Sequence, residues 1–237
     1  MKQLLVALDV DTTAEAVALA GQLRGSVGGF KIGNRLFTGE GPAVVEAIVA
    51  RGDRVFLDLK YHDIPQTVGG AVAAATRLGV WMINVHASGG SVMMRAARDA
   101  ARDEAARGPR PAPLVIAVTM LTSLSEPMLG EIGVSGAMSA QVQRLAALAQ
   151  AAGLDGVVAS PQEIALIRAT CGPDFTVVTP GIRSSEEPKG DQNRTLGASE
   201  ALTGGADFLV VGRPITAAPD PRAAAERIAA GCRAFIV

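Results

Sequence analysis

Short apolar runs and longer amphipathic stretches alternate along the chain from end to end. The runs at 4–9, 29–33, 55–60, 82–86, 114–120, 156–159, 176–180 and 208–212 have the length of strands. Several are nearly continuous in β-branched residues and leucine, as in Leu114-Val115-Ile116-Ala117-Val118 and Phe208-Leu209-Val210-Val211. Strands that are apolar on both faces are covered on both faces, as in a parallel sheet flanked by helices.

The stretches between them read as helices. Thr12-x-x-Glu15 is a capping-box pattern that opens an alanine-rich helix. Pro42 stands where a first helical turn begins, and Gly52 where that helix stops. Residues 91–107, 139–152, 161–170 and 221–230 follow the same pattern, with Gly108, Gly153, Gly172 and Gly231 just past their C-termini. Pro65 reads as a stop to regular structure after the third strand.

About eight strand–helix units in one chain of this length predict an α/β protein, a (β/α)8 TIM barrel forming a single domain over residues 1–237. An open, doubly wound sheet is the alternative. Asp9-Val10-Asp11 weakens it by standing where a glycine-rich dinucleotide turn would follow the first strand. No linker and no short repeat interrupts the pattern. Residues 183–197 carry no obvious element, and loops of that length in compact domains are usually functional, which makes this stretch a candidate lid.

Composition narrows the function classes. The chain is 49% hydrophobic but only 3% aromatic, so its core is aliphatic. No run approaches the ~20 apolar residues of a membrane span. The N-terminal Met1-Lys2-Gln3 leads straight into the first strand, too short a lead for a signal peptide, so a cytoplasmic protein is expected. A net charge of −1 offers no bulk attraction for nucleic acid or an anionic membrane. Cys171 and Cys232 lack metal-type spacing and read as buried thiols. Met93-Met94 reads as core filling, and the mixed charges of 95–107 as a solvated helix face.

The polar residues of interest gather at the C-terminal ends of the strands, where barrel active sites lie. Asp9 ends the first strand, and Lys31 lies within the second as Phe30-Lys31-Ile32. Asp58 and Lys60 close the third, two residues apart and hence on one face, with Asp63 just beyond. Such charges at the end of an apolar run are costly unless paired; a structural ion pair is the plainer reading, a charged catalytic group the sharper one. Asn84 and His86 end the fourth strand, and Thr119 and Thr122 follow the fifth. Pro180-Gly181-Ile182-Arg183 follows the seventh and Gly212-Arg213-Pro214 the eighth. Loops after strands 7 and 8 commonly bind phosphate in barrels, through glycine backbone and a bidentate arginine. Arg213 is the better placed arginine; a surface turn is the alternative. His62 and His86 have no partner at metal-ligand spacing and read as packing and hydrogen-bonding residues.

Taken together, these pieces resemble the orotidine 5′-phosphate decarboxylase family in its shorter bacterial form. The likeness rests on Ala7-Leu8-Asp9, Phe30-Lys31-Ile32-Gly33, Asp58-Leu59-Lys60-Tyr61-His62-Asp63-Ile64-Pro65-Gln66-Thr67, Asn84-Val85-His86-Ala87, Val118-Thr119-Met120-Leu121-Thr122-Ser123, Thr179-Pro180-Gly181-Ile182-Arg183, Asp191-Gln192 and Val211-Gly212-Arg213-Pro214-Ile215. Asp-x-Lys-x-x-Asp alone is shared with a wider barrel suprafamily, and the longer string is more specific. Tyr61 stands where the family often has an aliphatic residue.

The resemblance implies decarboxylation of orotidine 5′-phosphate to UMP with no metal and no organic cofactor. It implies a charged network of Lys31, Asp58, Lys60 and Asp63, with Lys60 as the proton donor to C6. It further implies ribose contacts from Asp9 and Lys31, and a base contact from Thr122. Pro180, Arg183, Gln192, Gly212 and Arg213 would serve the phosphate end. It also implies a homodimer, with Asp63 and Thr67 reaching into the neighbouring site. The alternatives are a magnesium-dependent 3-keto-L-gulonate 6-phosphate decarboxylase or hexulose-phosphate synthase, or a silent barrel that only binds a phosphate ligand. Lys31 stands near where those metal enzymes carry an acidic ligand, and a cation there repels magnesium.

Overall fold

The computed structural model describes residues 1–182 and 196–233. Eight strands appear: β1 (Leu4–Ala7), β2 (Gly29–Gly33), β3 (Val55–Tyr61), β4 (Met82–His86), β5 (Leu114–Val118), β6 (Gly156–Val158), β7 (Thr176–Thr179) and β8 (Phe208–Val211). They form a closed barrel in chain order. Every pairing is parallel, and β8 returns to β1 through Leu5↔Val210 and Val6↔Val211. That closure sets aside the open doubly wound sheet. The chain is a (β/α)8 barrel.

Strand alternation sorts the core into two parts. Leu4 and Val6 join the large cluster beneath the helices, whereas Leu5 and Ala7 join Phe56, Met82, Ile116, Val118, Val158, Val178 and Val210 inside the barrel. Each of the larger side chains among these contributes roughly 1.5–3 kcal/mol relative to exposure. β2 departs from this pattern. Phe30 and Ile32 face the helices, so Gly29, Lys31 and Gly33 take the interior side. A lysine thus occupies a position that aliphatic residues fill on other strands.

The N-terminal end of the barrel is closed by packing and a polar staple. Trp81 meets Phe208 edge-on at 5.0 Å, and the Arg54 guanidinium lies 5.1 Å over the Trp81 ring. Arg168 donates to the carbonyls of Phe175 and Gly205 and, at 2.6 Å, to Asp207 Oδ2, which also accepts the Val177 N–H.

Helix signals behave as their chemistry predicts. Thr12 caps Thr13–Leu23, its hydroxyl accepting the Glu15 N–H while the Glu15 carboxylate accepts the Thr12 N–H. Gly153 and Gly172 adopt the left-handed φ of +76° and +83° beyond their helices. Two readings are corrected. Pro65 begins the helix Pro65–Arg77 rather than ending regular structure, its fixed φ suiting the first helical position. Gly231 lies inside Pro221–Arg233 rather than past its end.

Cys171 and Cys232 are buried free thiols, and Met93 and Met94 are fully buried. The face of Gly90–Ala105 with mixed charges is mostly solvated, but Arg98 turns inward to the Ala152 carbonyl. Most of the candidate lid lies outside the described residues. Of its described part, Leu196 bridges Ile182 and Gly197 is the N-cap of Ala198–Thr203. No helix among the described residues is long and apolar enough to cross a membrane.

Candidate active site

A cavity of about 650 Å³ opens at the C-terminal end of the strands. Its floor is the last interior layer, Ala7, Phe56, Val158 and Val210. Asp9, Lys31, Asp58, Lys60, Arg35 and Arg213 bring charge to its wall, and Thr122, Ser123, Pro180, Gly181 and Gly212 complete it. The volume suits a small organic ligand.

Asp58 is the hub. It is 9% exposed, and a buried carboxylate costs several kcal/mol unless paired. Lys60 Nζ donates to its Oδ1 at 2.7 Å, and Lys31 Nζ lies 3.6 Å from its Oδ2. Lys31 also donates to Asp9 Oδ1 at 3.3 Å, so its ammonium bridges two carboxylates. Gly33 makes room for it, since a Cβ there would stand 2.8 Å from Lys31 Nζ.

The Asp58–Lys60 contact does not come from simple strand alternation. β3 and β4 pair in step through Leu57↔Ile83 and resume at Tyr61↔Val85. Asp58, Leu59 and Lys60 therefore oppose the single residue Asn84, a pronounced bulge. Lys60 is the one non-glycine among the described residues with positive φ, at +52°. That conformation costs an L-residue roughly 1–2 kcal/mol. Asn84 is fully buried beside it; its Oδ1 accepts the Lys60 N–H at 2.8 Å and its Nδ2 donates to Asp58 Oδ1 at 2.6 Å. The sequence reading placed Asn84 at a strand end without giving it a role. Its signal was an amide inside the apolar run Met82-Ile83-Asn84-Val85.

The other expected residues divide into three groups. Thr122, Pro180, Gly212 and Arg213 line the cavity with the network, and Gly181 turns the β7 loop toward it with φ +77°. Asp63 and Thr67 are exposed and outside the cavity of this chain; the Asp63 carboxylate accepts the Ile64 N–H. Arg183 and Gln192 lie outside the described residues. Arg35, which the sequence reading passed over, reaches the rim in an ion pair with Asp11. Thr119 is buried, with its hydroxyl donating to the Val158 carbonyl.

His62 and His86 form a tilted ring pair with centroids 5.5 Å apart. Burial holds His86 below its ordinary imidazole value, its electrostatic interactions with His62 and Lys60 add to this, and Asp58 opposes them. Among the described residues no cluster of three His, Cys, Asp or Glu side chains is arranged to hold a metal. The chemistry on offer is an ammonium fixed at the cavity wall, able to stabilise negative charge and then deliver a proton.

Comparison with known proteins adds a family. A model described as the orotidine 5′-phosphate decarboxylase / HUMPS family matches residues 2–228. An orotidine 5′-phosphate decarboxylase of Moorella thermoacetica is 55% identical over 229 residues, covering 96% of this chain and 91% of that protein. One from Syntrophotalea carbinolica is 54% identical over 227 residues, covering 96% and 93%. Among solved structures, the orotidine 5′-phosphate decarboxylase of Lactobacillus acidophilus superposes with a TM-score of 0.87 at 36% identity, covering 98% of this chain and 99% of that one.

Proposed function

The chain belongs to the orotidine 5′-phosphate decarboxylase / HUMPS family, and from that premise we propose that it decarboxylates orotidine 5′-phosphate to UMP in pyrimidine biosynthesis, without metal or organic cofactor. The observation that carries the reading is the pairing of Lys31 and Lys60 on opposite oxygens of Asp58 at the wall of the cavity.

Breaking the bond from C6 to the carboxylate leaves its electron pair on C6 as neutral CO₂ departs. That pair lies in the ring plane, where the pyrimidine cannot delocalise it. A fixed ammonium stabilises it without solvent reorganisation and then transfers a proton to C6. Lys60 has this role, held at one angle by Asp58 and regaining its proton from solvent. Asp9 and Lys31 face the ribose, Thr122 the base, and Pro180, Gly212 and Arg213 the phosphate. Arg183 and Gln192 are assigned to the phosphate end by resemblance alone.

The family also includes sugar-phosphate enzymes in its name. Lys31 favours the orotidine reading, because its ammonium fills the gap between Asp9 and Asp58 where a divalent cation would have to sit.

The working unit is a cytoplasmic homodimer of single-domain chains, with no nucleic-acid or membrane partner. Ile64 and Val92 leave apolar side chains 64% and 61% exposed, with Ile64 next to Asp63 and close in sequence to Thr67. A second copy seated there would bring its own Asp63 and Thr67 toward this site.

Purified protein should turn orotidine 5′-phosphate into UMP in the presence of EDTA, and Lys60→Ala should lose about 10⁴-fold or more in kcat. A folded wild type with no turnover would overturn the assignment.

A further inference from the structure

Beyond the charged side chains themselves, we infer that Asn84 is a positioning residue that holds Lys60 and Asp58 in register for catalysis; this rests on the decarboxylase reading above. Three residues of β3 oppose Asn84 alone, so the backbone ladder cannot satisfy every group in the bulge. The Lys60 N–H, turned by its positive φ, finds the Asn84 Oδ1 instead. The same amide donates its Nδ2 to the Asp58 oxygen that also receives the Lys60 ammonium. One buried side chain therefore fixes the backbone of the proton donor and the carboxylate that aims it.

The orientation of this amide follows from its partners. A backbone N–H only donates, and an ionised carboxylate only accepts, so the Asn84 oxygen faces Lys60 and its nitrogen faces Asp58. No apolar side chain of similar size makes either bond. An aspartate reproduces the acceptor toward Lys60 but sets a carboxylate against Asp58. Two carboxylates at that distance share a proton, so the missing donor is restored only as pH falls.

The test compares wild type, Asn84→Leu and Asn84→Asp in kcat and KM for orotidine 5′-phosphate from about pH 5 to about pH 9, with UMP affinity measured by calorimetry. Asn84→Leu should lose about tenfold or more in kcat while its UMP affinity stays within about threefold of wild type. The kcat of Asn84→Asp, relative to wild type, should rise as pH is lowered. Wild-type kcat in Asn84→Leu, or a flat pH ratio in Asn84→Asp, would overturn the inference. Loss of UMP affinity in parallel with kcat would also overturn it, by pointing to general collapse of the site. A crystal structure of Asn84→Leu reads the same point without turnover. Lys60 should leave the left-handed region or its ammonium should leave Asp58, and an unmoved Lys60 would count against the inference. Failure of wild-type turnover bears on the proposed reaction, whereas an unmoved Lys60 in Asn84→Leu bears on Asn84 alone.

Discussion

The ammonium of Lys60 lies 2.7 Å from Oδ1 of Asp58, across a stretch of β3 where the pairing with β4 breaks step. The carboxylate is shared with Lys31, so removing its charge leaves two ammonium groups beside one another with no anion between them. Asp58→Asn should lower kcat by about 10³-fold or more. Steady-state turnover of orotidine 5′-phosphate checks this, and activity near wild type would show that the hub is structural.

Arg213 lines the cavity directly after Gly212 at the end of β8. If it grips the phosphate, Arg213→Ala should lose about 100-fold in kcat/KM, mainly through KM. The nucleoside orotidine, which lacks the phosphate, should be turned over equally slowly by variant and wild type. An equal loss on both substrates would assign Arg213 to another task.

Asp63 stays outside the cavity of its own chain. In a dimer that exchanges it between subunits, inactive Lys60→Ala and inactive Asp63→Ala chains complement one another. Unfolding and refolding an equal mixture should restore about a quarter of wild-type activity, because half of the dimers are mixed and each has one intact site. No recovery by mixtures that sediment as dimers would place Asp63 in its own subunit's site.

His86 is held below its ordinary value of 6.5 by burial first, then by His62 and Lys60. The unfolded chain therefore takes up this proton before the folded one does. The stability contributed by neutral His86 is complete above about pH 6.5 and is lost as pH falls through the folded value. His86→Gln should accordingly lose less Tm than wild type between about pH 7 and about pH 5. Parallel Tm profiles for the two proteins would exclude His86 as a source of acid sensitivity.

Arg168 ties the N-terminal ends of β7 and β8 together through Asp207 and two carbonyls. Its removal takes the donor from these carbonyls and the cation from a partly exposed carboxylate, at a cost of about 1–3 kcal/mol. Urea unfolding of Arg168→Ala should show that loss with kcat/KM unchanged, since the staple lies at the opposite end of the strands from the cavity.

The eight strands were legible because helices cover one face and the packed interior the other, which leaves runs such as 114–118 apolar throughout. Lys31 was legible for the complementary reason, a cation interrupting such a run. The helix Pro65–Arg77 was hidden by Gly69-Gly70 in its second turn and by a proline that serves equally well as a start or a stop. The bulge was not legible at all. Residue spacing predicts which side chains share a face only while the pairing stays in step, and three residues opposite one is a relation between strands. For that reason Asp58 and Lys60 were put on one face by a periodicity that breaks between them, and Asn84 was placed at a strand end without a role. Asp63 and Thr67 acquired meaning from the family resemblance, because in this chain both are exposed and neither lines the cavity.

The cavity wall also inverts the electrical character of the molecule. The chain carries a net charge of −1, yet among the described residues lining the cavity Lys31, Arg35, Lys60 and Arg213 outnumber Asp9 and Asp58, even with Arg35 paired to Asp11. An anion in bulk solution meets no general attraction to this protein. Within about a Debye length, roughly 8 Å, of the open end of the barrel it meets this excess of cations. The charge of the described cavity wall thus favours an anion approaching from the side where the strand ends can be reached.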